Sequence, residues 1–497
     1  MVEEWVVNEM KNVELNDTRL SDRLVEVLSQ LGGHPTASIP SACGGYAEMT
    51  AAYRLFDNEK AHFDNVLQPH IDATRERMSK QPVVILPQDT TEIDLTRPHQ
   101  QVSGAGPLDG GTRRGLFLHL LHGFMPDGTP LGTVGATVWQ RDDEPGRPTS
   151  QSSTQRRHRP IEEKESQRWI ETLRQACQAA REAPDSSFVC AADSEADIYE
   201  FIVEAQSEAC EVEWIVRACH NRALDPETGG AGDNRDTAAT HLREQLLRSD
   251  VLFTHEITIR GRNAKVSCED RVRRQPRESR RAEVEVRATS ITLRAPRRDD
   301  RKLPPVSVNV VSVQEINPPA DEAPVEWILL TSLPIDKVDQ VRNVIQYYCV
   351  RWMVEVFFRT LKTGCRVQER RFEAVDRFKP CLAVYLIVTW RTLYVCRLGR
   401  GMPDISCEAV FEPAEWKSVY RVVRGESPPT EPPKLAEMVR MVAQLGGYVN
   451  RKRKDEPGPQ TVWIGLQRMH DFAICWQLFG PGAKTQEASL DRDVGDV

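Results

Sequence analysis

The sequence has 497 residues, a length that predicts two to four folded domains. Hydrophobic residues make up 40% of the chain and charged residues 28%, which is the balance of a soluble globular protein. The formal net charge of −8 argues against a chain that binds nucleic acid over its whole surface, so any such contact must come from local basic regions.

Three further features argue against membrane, secreted and zinc-binding proteins. The longest apolar run, Cys381–Trp390, is too short to span a bilayer. The N-terminus has no basic region before an apolar one, so we expect no secretory signal. The twelve cysteines are scattered without a Cys-x-x-Cys pair, which predicts reduced thiols. We therefore expect a cytoplasmic protein with no membrane partner.

The first seventy residues predict a small helical domain. Apolar residues recur every three or four positions in Asp17–Leu31 and again in Tyr46–Phe56, which indicates two amphipathic helices. Arg19 and Arg23 share the exposed side of the first helix. Taken alone, they are most simply ordinary surface arginines.

The first candidate site residue is Asp89. It follows the apolar run Val83–Leu86, which predicts a buried central strand. The alternative is a strand-end Asp that only makes a turn with the two threonines after it. Two more strands are predicted at Gly115–Met125 and Leu131–Gln140, so three consecutive antiparallel strands begin with the Asp.

The second candidate is Asp193, which ends the apolar strand Ser187–Ala192 after a helix predicted at Ile161–Ala183. The order of three strands, helix, strand and helix is the opening of an RNase H-like fold. The first and fourth strands are neighbours in that fold, so Asp89 and Asp193 are expected to converge.

Regularity declines after the next predicted strand, Glu213–Arg217. Residues 252–303 contain short alternating runs, and residues 251–302 hold fifteen Lys and Arg against eight Asp and Glu. This pattern predicts a β-rich insertion with basic edges at about 222–326. Trp327 then opens a strand, where a core position is the simplest interpretation.

The stretch Tyr348–Lys362 predicts a mostly buried helix with one polar stripe. At about 100° per residue, Tyr348, Arg351, Glu355 and Lys362 fall within an arc of roughly 60°. A buried carboxylate flanked by cations is costly unless it binds something, and a metal ion together with a phosphate would satisfy this set. The alternative is the solvated face of an amphipathic helix.

The rest of the chain predicts helices. Pro380–Leu398 is strongly apolar, Arg451–Lys454 is a basic run, and Trp463–Phe479 carries an apolar stripe that suits a core or a dimer face. Little apolar content after residue 480 predicts a disordered tail. The expected domain limits are 1–70, 71–370, 371–480 and 481–497.

The spacing Tyr-x2-Arg-x3-Glu-x6-Lys from Tyr348 to Lys362 resembles the signature of bacterial cut-and-paste DDE transposases of the insertion-sequence-four family. The segment Asp193–Ile198, Asp-Ser-Glu-Ala-Asp-Ile, resembles a second motif of that family, and the likeness extends over nearly the whole chain. The resemblance implies an α/β fold. Its RNase H-like core, a mixed sheet with flanking helices, carries a β-rich insertion and is joined by all-α N-terminal and C-terminal domains.

By this resemblance, Asp89, Asp193 and Glu355 are the catalytic residues and ligands of two Mg2+ ions, for which Mn2+ can substitute. The residue types agree, because carboxylate oxygens suit these hard cations and the three acidic motifs offer no His or Cys set for zinc. Such ions activate a water or 3′-hydroxyl and stabilise the departing oxygen of a phosphodiester.

The resemblance also implies the DNA contacts. Arg351, Lys362 and Tyr348 would hold phosphates. Trp327 would stack on a flipped base, Arg217 would contact the DNA end, and Arg19 and Arg23 would belong to a module that recognises the transposon ends. The expected partners are double-stranded DNA, as terminal repeats and as target, and a second copy of the chain. The expected location is the bacterial cytoplasm, in association with the nucleoid.

The implied reaction is end nicking, hairpin formation, hairpin opening and strand transfer. Two alternatives stay open from the residues alone. A catalytically inactive DNA-binding relative, or an inhibitor of transposition, would explain the helical module but not an intact acidic triad. A plain RNase H-like nuclease would explain the triad but not Trp327 or the terminal helices.

Overall fold

The computed structural model describes residues 2–109, 112–142, 159–226, 240–259, 265–266, 272–274, 277–320, 322–449 and 456–481. The basic run Arg451–Lys454 and all but the first residue of the expected tail lie outside these ranges. The chain forms two compact units. We call Ile71–Asp94 with Gly106–Val356 the sheet unit, and Met1–His70, Leu95–Ala105 and Phe357–Val497 the helical unit.

The strands of the sheet unit are β1 Val83–Asp94, β2 Gly106–Pro107, β3 Arg114–Phe124, β4 Pro130–Trp139, β5 Ser187–Ala192, β6 Glu213–Arg217, β7 Val251–Ile259, β8 Lys265–Val266, β9 Val272–Arg274, β10 Arg280–Leu293, β11 Val306–Glu315 and β12 Glu326–Thr331. Ten of them form a mixed sheet in the order β2-β3-β1-β5-β6-β12-β11-β10-β7, with β4 also paired to β3. The remaining two, β8 and β9, form a separate two-stranded sheet.

The centre of the sheet is the parallel pair β1 and β5, which is apolar on both faces because helices cover both. On one face, Trp169, Ile170 and Leu173 of the helix Gln167–Arg181 join the core. On the other, the helix Val338–Val350 packs through Val341 and Val344. A mixed sheet flanked by helices in this way confirms the predicted α/β RNase H-like core.

The β-rich region does not form a sheet of its own, apart from the short β8–β9 pair. Strand β12 pairs antiparallel with β6, and β11, β10 and β7 continue outward from it. The insertion strands therefore extend the core sheet. The sequence predicted a β-rich insertion but not its place in the sheet, because alternation predicts strands but not the strand that each one pairs with.

The sheet unit also contains a disulfide between Cys177 and Cys210. It joins the end of the helix Gln167–Arg181 to the segment that leads into β6. The expectation of reduced thiols was wrong for these two residues, because cysteines 33 positions apart give no pairing signal in the sequence. The other cysteines in the described ranges are free.

The helical unit combines both ends of the chain. Its longer helices are Thr18–Gly33, Tyr46–Phe56, Val375–Gly401, Pro413–Arg424, Leu435–Leu445 and Pro459–Phe479. Inside this unit, the Glu3 carboxylate accepts a hydrogen bond from His470 at 2.8 Å, and His34 lies 3.1 Å from Asp471. The N-terminal and C-terminal helices, expected as two domains, thus share one compact unit.

Two further helices bear on the expected boundaries. Phe63–Met78 contains the limit between the two units, at His70, so the predicted domain limit falls inside a helix. Val375–Gly401 is, in the described chain, long and apolar enough to cross a membrane, but 83% of the apolar window is buried within the protein. Such burial is what the core helix of a globular protein shows.

Candidate active site

Asp89 and Asp193 stand side by side at one end of the parallel pair. The register joins Gln88 to Ala192, so each Asp is the next residue along its strand. The prediction that β1 ends before Asp89 was wrong, because β1 continues to Asp94 along β3. It is β5 that stops at Ala192, which leaves one side of β1 open at Asp89.

Asp193 begins the short turn Ser194–Ala196, where its carboxylate accepts the backbone N–H of Glu195 at 2.8 Å. The side chain is half-buried, whereas Asp89 is only 8% exposed. The two acids thus offer one carboxylate within the protein and one closer to its surface.

Glu355 lies on the helix Trp352–Arg359, which follows the helix packed on the face of the sheet towards which Asp89 points. The single regular helix predicted for Tyr348–Lys362 was wrong in detail. The helix Val338–Val350 ends at Arg351, whose N–H bonds the carbonyl of Tyr348 three residues back, and a π-helical turn occupies Thr360–Gly364. Periodicity assumes a regular helix and cannot show where its hydrogen bonding changes.

The Arg351 guanidinium links two of the three acids. Its Nη1 lies 3.3 Å from Oδ2 of Asp89 and 3.7 Å from Oε1 of Glu355. The Arg351 side chain is largely buried, and its Nε has no hydrogen-bond partner among the described residues. The Arg351 cation therefore lies near two carboxylates, and its Nε–H is left without a hydrogen-bond acceptor among the described residues.

The site holds more negative charge than Arg351 offsets. Burial, together with the charges of Asp193 and Glu355, raises the pKa of Asp89 to about 7 against the opposing effect of Arg351. Burial alone would lower the pKa of Arg351, but Tyr348 and the acids around it raise that pKa instead. A carboxyl group with so high a pKa marks a site that favours an added cation.

The donor set suits a hard divalent cation, since Asp89, Asp193 and Glu355 offer only carboxylate oxygens. These oxygens are not gathered as closely as in a formed metal site. Within the described ranges, the group whose ligand atoms all lie within 4.8 Å of one another is Asp197, Cys219 and His220. Repulsion among three carboxylates, with Arg351 between two of them, accounts for the wider spacing.

Asp197 has a structural role instead. Its carboxylate accepts the N–H groups of Cys219 and His220 at 2.8 and 3.0 Å and also binds the Arg222 guanidinium. These bonds already occupy both carboxylate oxygens, so a metal there would have to displace them. The group therefore fastens the loop after β6.

An aromatic and basic group borders the acids. The Tyr348 ring lies 6.0 Å from that of Trp327 and 5.6 Å from the Arg351 guanidinium. Burial raises the pKa of Tyr348, while the charges of Arg351 and Arg217 lower it. Arg217 is exposed at the end of β6 and donates to the Glu326 carbonyl at 3.3 Å. Trp327, Tyr348 and Arg217 are thus brought together.

The other three expected site residues belong to the helical unit. Lys362 lies in the π-helical turn and is half-exposed. Arg19 is exposed on the helix Thr18–Gly33, and Arg23 makes an exposed ion pair with Glu26 at 2.6 Å.

Sequence reasoning missed one buried group beside Asp89. His119 on β3 is fully buried and lies between Thr90, at 2.7 Å, and Gln88, at 3.2 Å. The available signal was a pair of polar residues, His and Gln, within segments that otherwise read as buried apolar strands.

Three family models match parts of the chain. Residues 137–388 match the family model described as Transposase DDE domain. Residues 2–61 match Transposase DNA-binding, and residues 387–477 match Transposase Tn5 dimerisation domain. A piggyBac transposase, solved by cryo-EM as a synaptic complex with hairpin DNA, is 10% identical with a TM-score of 0.32. The match covers 68% of this chain and 52% of that one, so the chain spans about half its length.

The raised pKa of Asp89 predicts a pH-dependent cost to folding. The folded chain keeps a proton on Asp89 that the unfolded chain releases near the ordinary pKa of 3.8. The free energy of unfolding therefore falls as the pH rises from about 4 towards 7. Asp89→Asn is expected to raise the free energy of unfolding at pH 8 by up to about 4 kcal/mol, and by less at pH 5. Urea unfolding in EDTA measures both values.

The matched control is Asp185→Asn, at an exposed position of the same unit, which should change stability equally at both pH values. An Asp89→Asn variant that is less stable than the parent chain at pH 8 would contradict the claim that the site holds more negative charge than Arg351 offsets.

Proposed function

Since the chain belongs to the family of transposases with a DDE domain, we propose that it carries out cut-and-paste transposition of an insertion sequence. The observation that carries the proposal is the meeting of Asp89, Asp193 and Glu355 around the Arg351 guanidinium. The spacing from Tyr348 to Lys362 further supports the insertion-sequence-four branch of such enzymes. The proposed architecture keeps all-α terminal domains and a β-rich insertion around the core.

The three acids are proposed as the metal ligands and catalytic residues. Family membership implies divalent metal use, and the carboxylate donors favour Mg2+, with Mn2+ as a substitute and two ions per site. When bound, such ions activate a water or 3′-hydroxyl and stabilise the departing oxygen of the phosphodiester.

The protein's own groups then hold the DNA strand. The free Nε of Arg351 is a buried donor beside the acids, and a guanidinium fork suits a phosphate oxygen. The Tyr348 hydroxyl, next to Arg351, is proposed to donate to the same backbone. Lys362 is proposed as a further phosphate contact. A phosphate bound to Arg351 would balance its positive charge when the acids bind metal ions.

Trp327 and Arg217 are proposed to hold the DNA end. Their place beside Tyr348 lets an indole receive a base that has left the duplex, and lets a guanidinium contact the adjoining backbone. This supports a reaction through nicking, hairpin formation, hairpin opening and strand transfer into target DNA.

The terminal regions are proposed to recognise and pair the transposon ends. Arg19 and Arg23 lie in the segment that matches a transposase DNA-binding model, so we assign them to the terminal repeats. The last helix exposes Ile474 within the segment that matches a dimerisation model, and Leu478 and Phe479 directly after that segment. A second copy of the chain would cover these apolar side chains. The proposed location is the bacterial cytoplasm, with the nucleoid.

Glu355→Gln tests the proposed chemistry on a labelled fragment that carries the element's own terminal repeat, with Mg2+ or Mn2+. The parent chain should release the end and form a hairpin. The variant should bind as well but cut more than about a hundredfold more slowly, because it loses a metal ligand without losing a cation that holds phosphate. Denaturing gels and gel shifts measure cutting and binding.

Asp339→Asn is the control, an acid-to-amide change on the preceding helix at an exposed side chain. It should cut like the parent chain. Cutting by Glu355→Gln at the parent rate would refute the assigned role. Binding without cutting by every variant and by the parent would favour the inactive DNA-binding relative.

Trp327→Ala separates hairpin formation from nicking. Stacking on a base contributes about 1–3 kcal/mol, so its loss should slow the hairpin step about 5- to 150-fold and leave the first nick nearly unchanged. Trp327→Phe, which keeps an aromatic face, should recover most of the hairpin product. Equal hairpin yields from the Ala variant and the parent would show that Trp327 is a core residue only.

A further inference from the structure

A chain of buried polar side chains runs through the centre of the sheet next to Asp89. The Gln88 Nε2 donates to the Cys190 sulfur at 3.2 Å, and the Gln88 Oε1 lies 3.2 Å from Nε2 of His119. The His119 Nδ1 lies 2.7 Å from the Thr90 hydroxyl. The chain therefore connects three neighbouring strands, β5, β1 and β3, through side chains alone.

Because the Gln88 amide nitrogen donates to Cys190, its oxygen faces His119, and this orientation sets the direction of the remaining bonds. The Gln88 oxygen can only accept, so Nε2 of His119 must carry the hydrogen that faces it. A neutral imidazole then has a bare Nδ1, which accepts from the Thr90 hydroxyl. The reverse tautomer would need the Gln88 amide turned over, so that its nitrogen donates to His119 and its oxygen accepts from the Cys190 thiol.

The surroundings keep His119 neutral. Burial, together with the nearby charge of Arg168, lowers its pKa to about 3. The Trp169 ring meets the imidazole edge-on, with centroids 4.7 Å apart. His119 is therefore a fixed hydrogen-bonding link.

The chain lies on the reverse side of β1 from the Asp89 carboxylate. Side chains alternate along a strand, so Gln88 and Thr90 share one face and Asp89 points to the other, towards Arg351. His119 faces Thr90 directly in the register of β1 and β3. The last member of this hydrogen-bonded series, Thr90, adjoins the site because its N–H donates to Oδ1 of Asp89 at 2.7 Å.

Thr90 also lies where β1 is no longer paired with β5. Pairing with β5 stops at Gln88, so Asp89 and Thr90 are held by β3 on one side only. A carboxylate that is repelled by two other acids needs a restraint there. The hydrogen bond between His119 and Thr90 supplies this restraint, because it joins Thr90 to β3 in addition to the backbone pairing.

We propose that His119 is a positioning residue, which as the Nε2–H tautomer holds Thr90 and thereby fixes the orientation of the Asp89 carboxylate. The proposal deepens the proposed function and rests on it for the role of Asp89. It adds a buried support, His119 with Gln88 and Thr90, behind the first acid. Outer partners of this kind typically change metal affinity or activity by 10- to 100-fold when they are removed.

The first arm of the test needs neither metal nor DNA. In the parent chain labelled with 15N-histidine, the His119 ring should show a protonated Nε2 and a bare Nδ1 throughout pH 5 to 8, and His119→Leu identifies its signals. A protonated Nδ1 in the parent chain would overturn the proposal.

The second arm measures Mn2+ affinity by calorimetry. Thr90→Val removes the hydroxyl and should weaken binding about 10- to 100-fold, while Thr90→Ser restores the hydroxyl and should bind like the parent. His119→Leu should weaken binding similarly, and His119→Asn, which keeps an acceptor for Thr90, should recover much of it. Parent-like affinity in Thr90→Val would overturn the proposal.

The control for misfolding is His122→Leu. His122 is buried on the same strand but bonds Thr133, at 3.3 Å, away from Asp89. It should lower the unfolding temperature as His119→Leu does, yet keep the parent affinity for Mn2+. A parent chain that binds Mn2+ and cuts no DNA would refute the proposed function, while the tautomer and the affinities would still decide the role of His119.

Discussion

The contact of one guanidinium with two carboxylates is the constraint on which the sheet unit depends. Arg351 joins Asp89 from the centre of the sheet to Glu355 from a helix that follows more than 250 residues later. With Asp193 added, the acids exceed what this cation offsets, and the pKa of Asp89 rises to about 7. A fold that only needed stability would not gather like charges at a buried position. The gathering is understandable if the site takes up cations and a phosphate.

The architecture supplies this constraint with few elements. Two parallel strands place Asp89 beside Asp193, and the early end of β5 opens the space next to them. The helix Val338–Val350 packs on one face of the same strands through an apolar surface, and so delivers Arg351 and then Glu355 to that opening. On the reverse face, the helix Gln167–Arg181 covers His119 and keeps water from the hydrogen-bonded chain behind Asp89. Apolar packing of the helices on the sheet thus fixes where the strand ends lie, and the acidic side chains are carried at those ends.

The parts that the sequence could predict are those with a local physical signal. Apolar runs shortly before Asp89 and directly before Asp193 indicated buried strands, and helical spacing placed Tyr348, Arg351 and Glu355 on one side of a helix. What it could not show depends on pairing between distant segments. The continuation of β1 to Asp94 follows from its partner β3, and the addition of the insertion strands to the core sheet follows from β12 meeting β6. The change of hydrogen bonding at Arg351 is equally invisible to a periodic pattern.

Locating the bound cation is the most direct test of the central claim, that Asp89, Asp193 and Glu355 form one metal centre. Fe2+ would be bound in place of Mg2+, and ascorbate with peroxide would generate radicals that cut the backbone near the ion, with the fragments identified by mass spectrometry. Cuts next to all three acids are predicted, suppressed by excess Mg2+ and lost in Asp193→Asn. Cuts clustered instead at Asp197, Cys219 and His220, or cuts that Mg2+ does not suppress, would contradict the account.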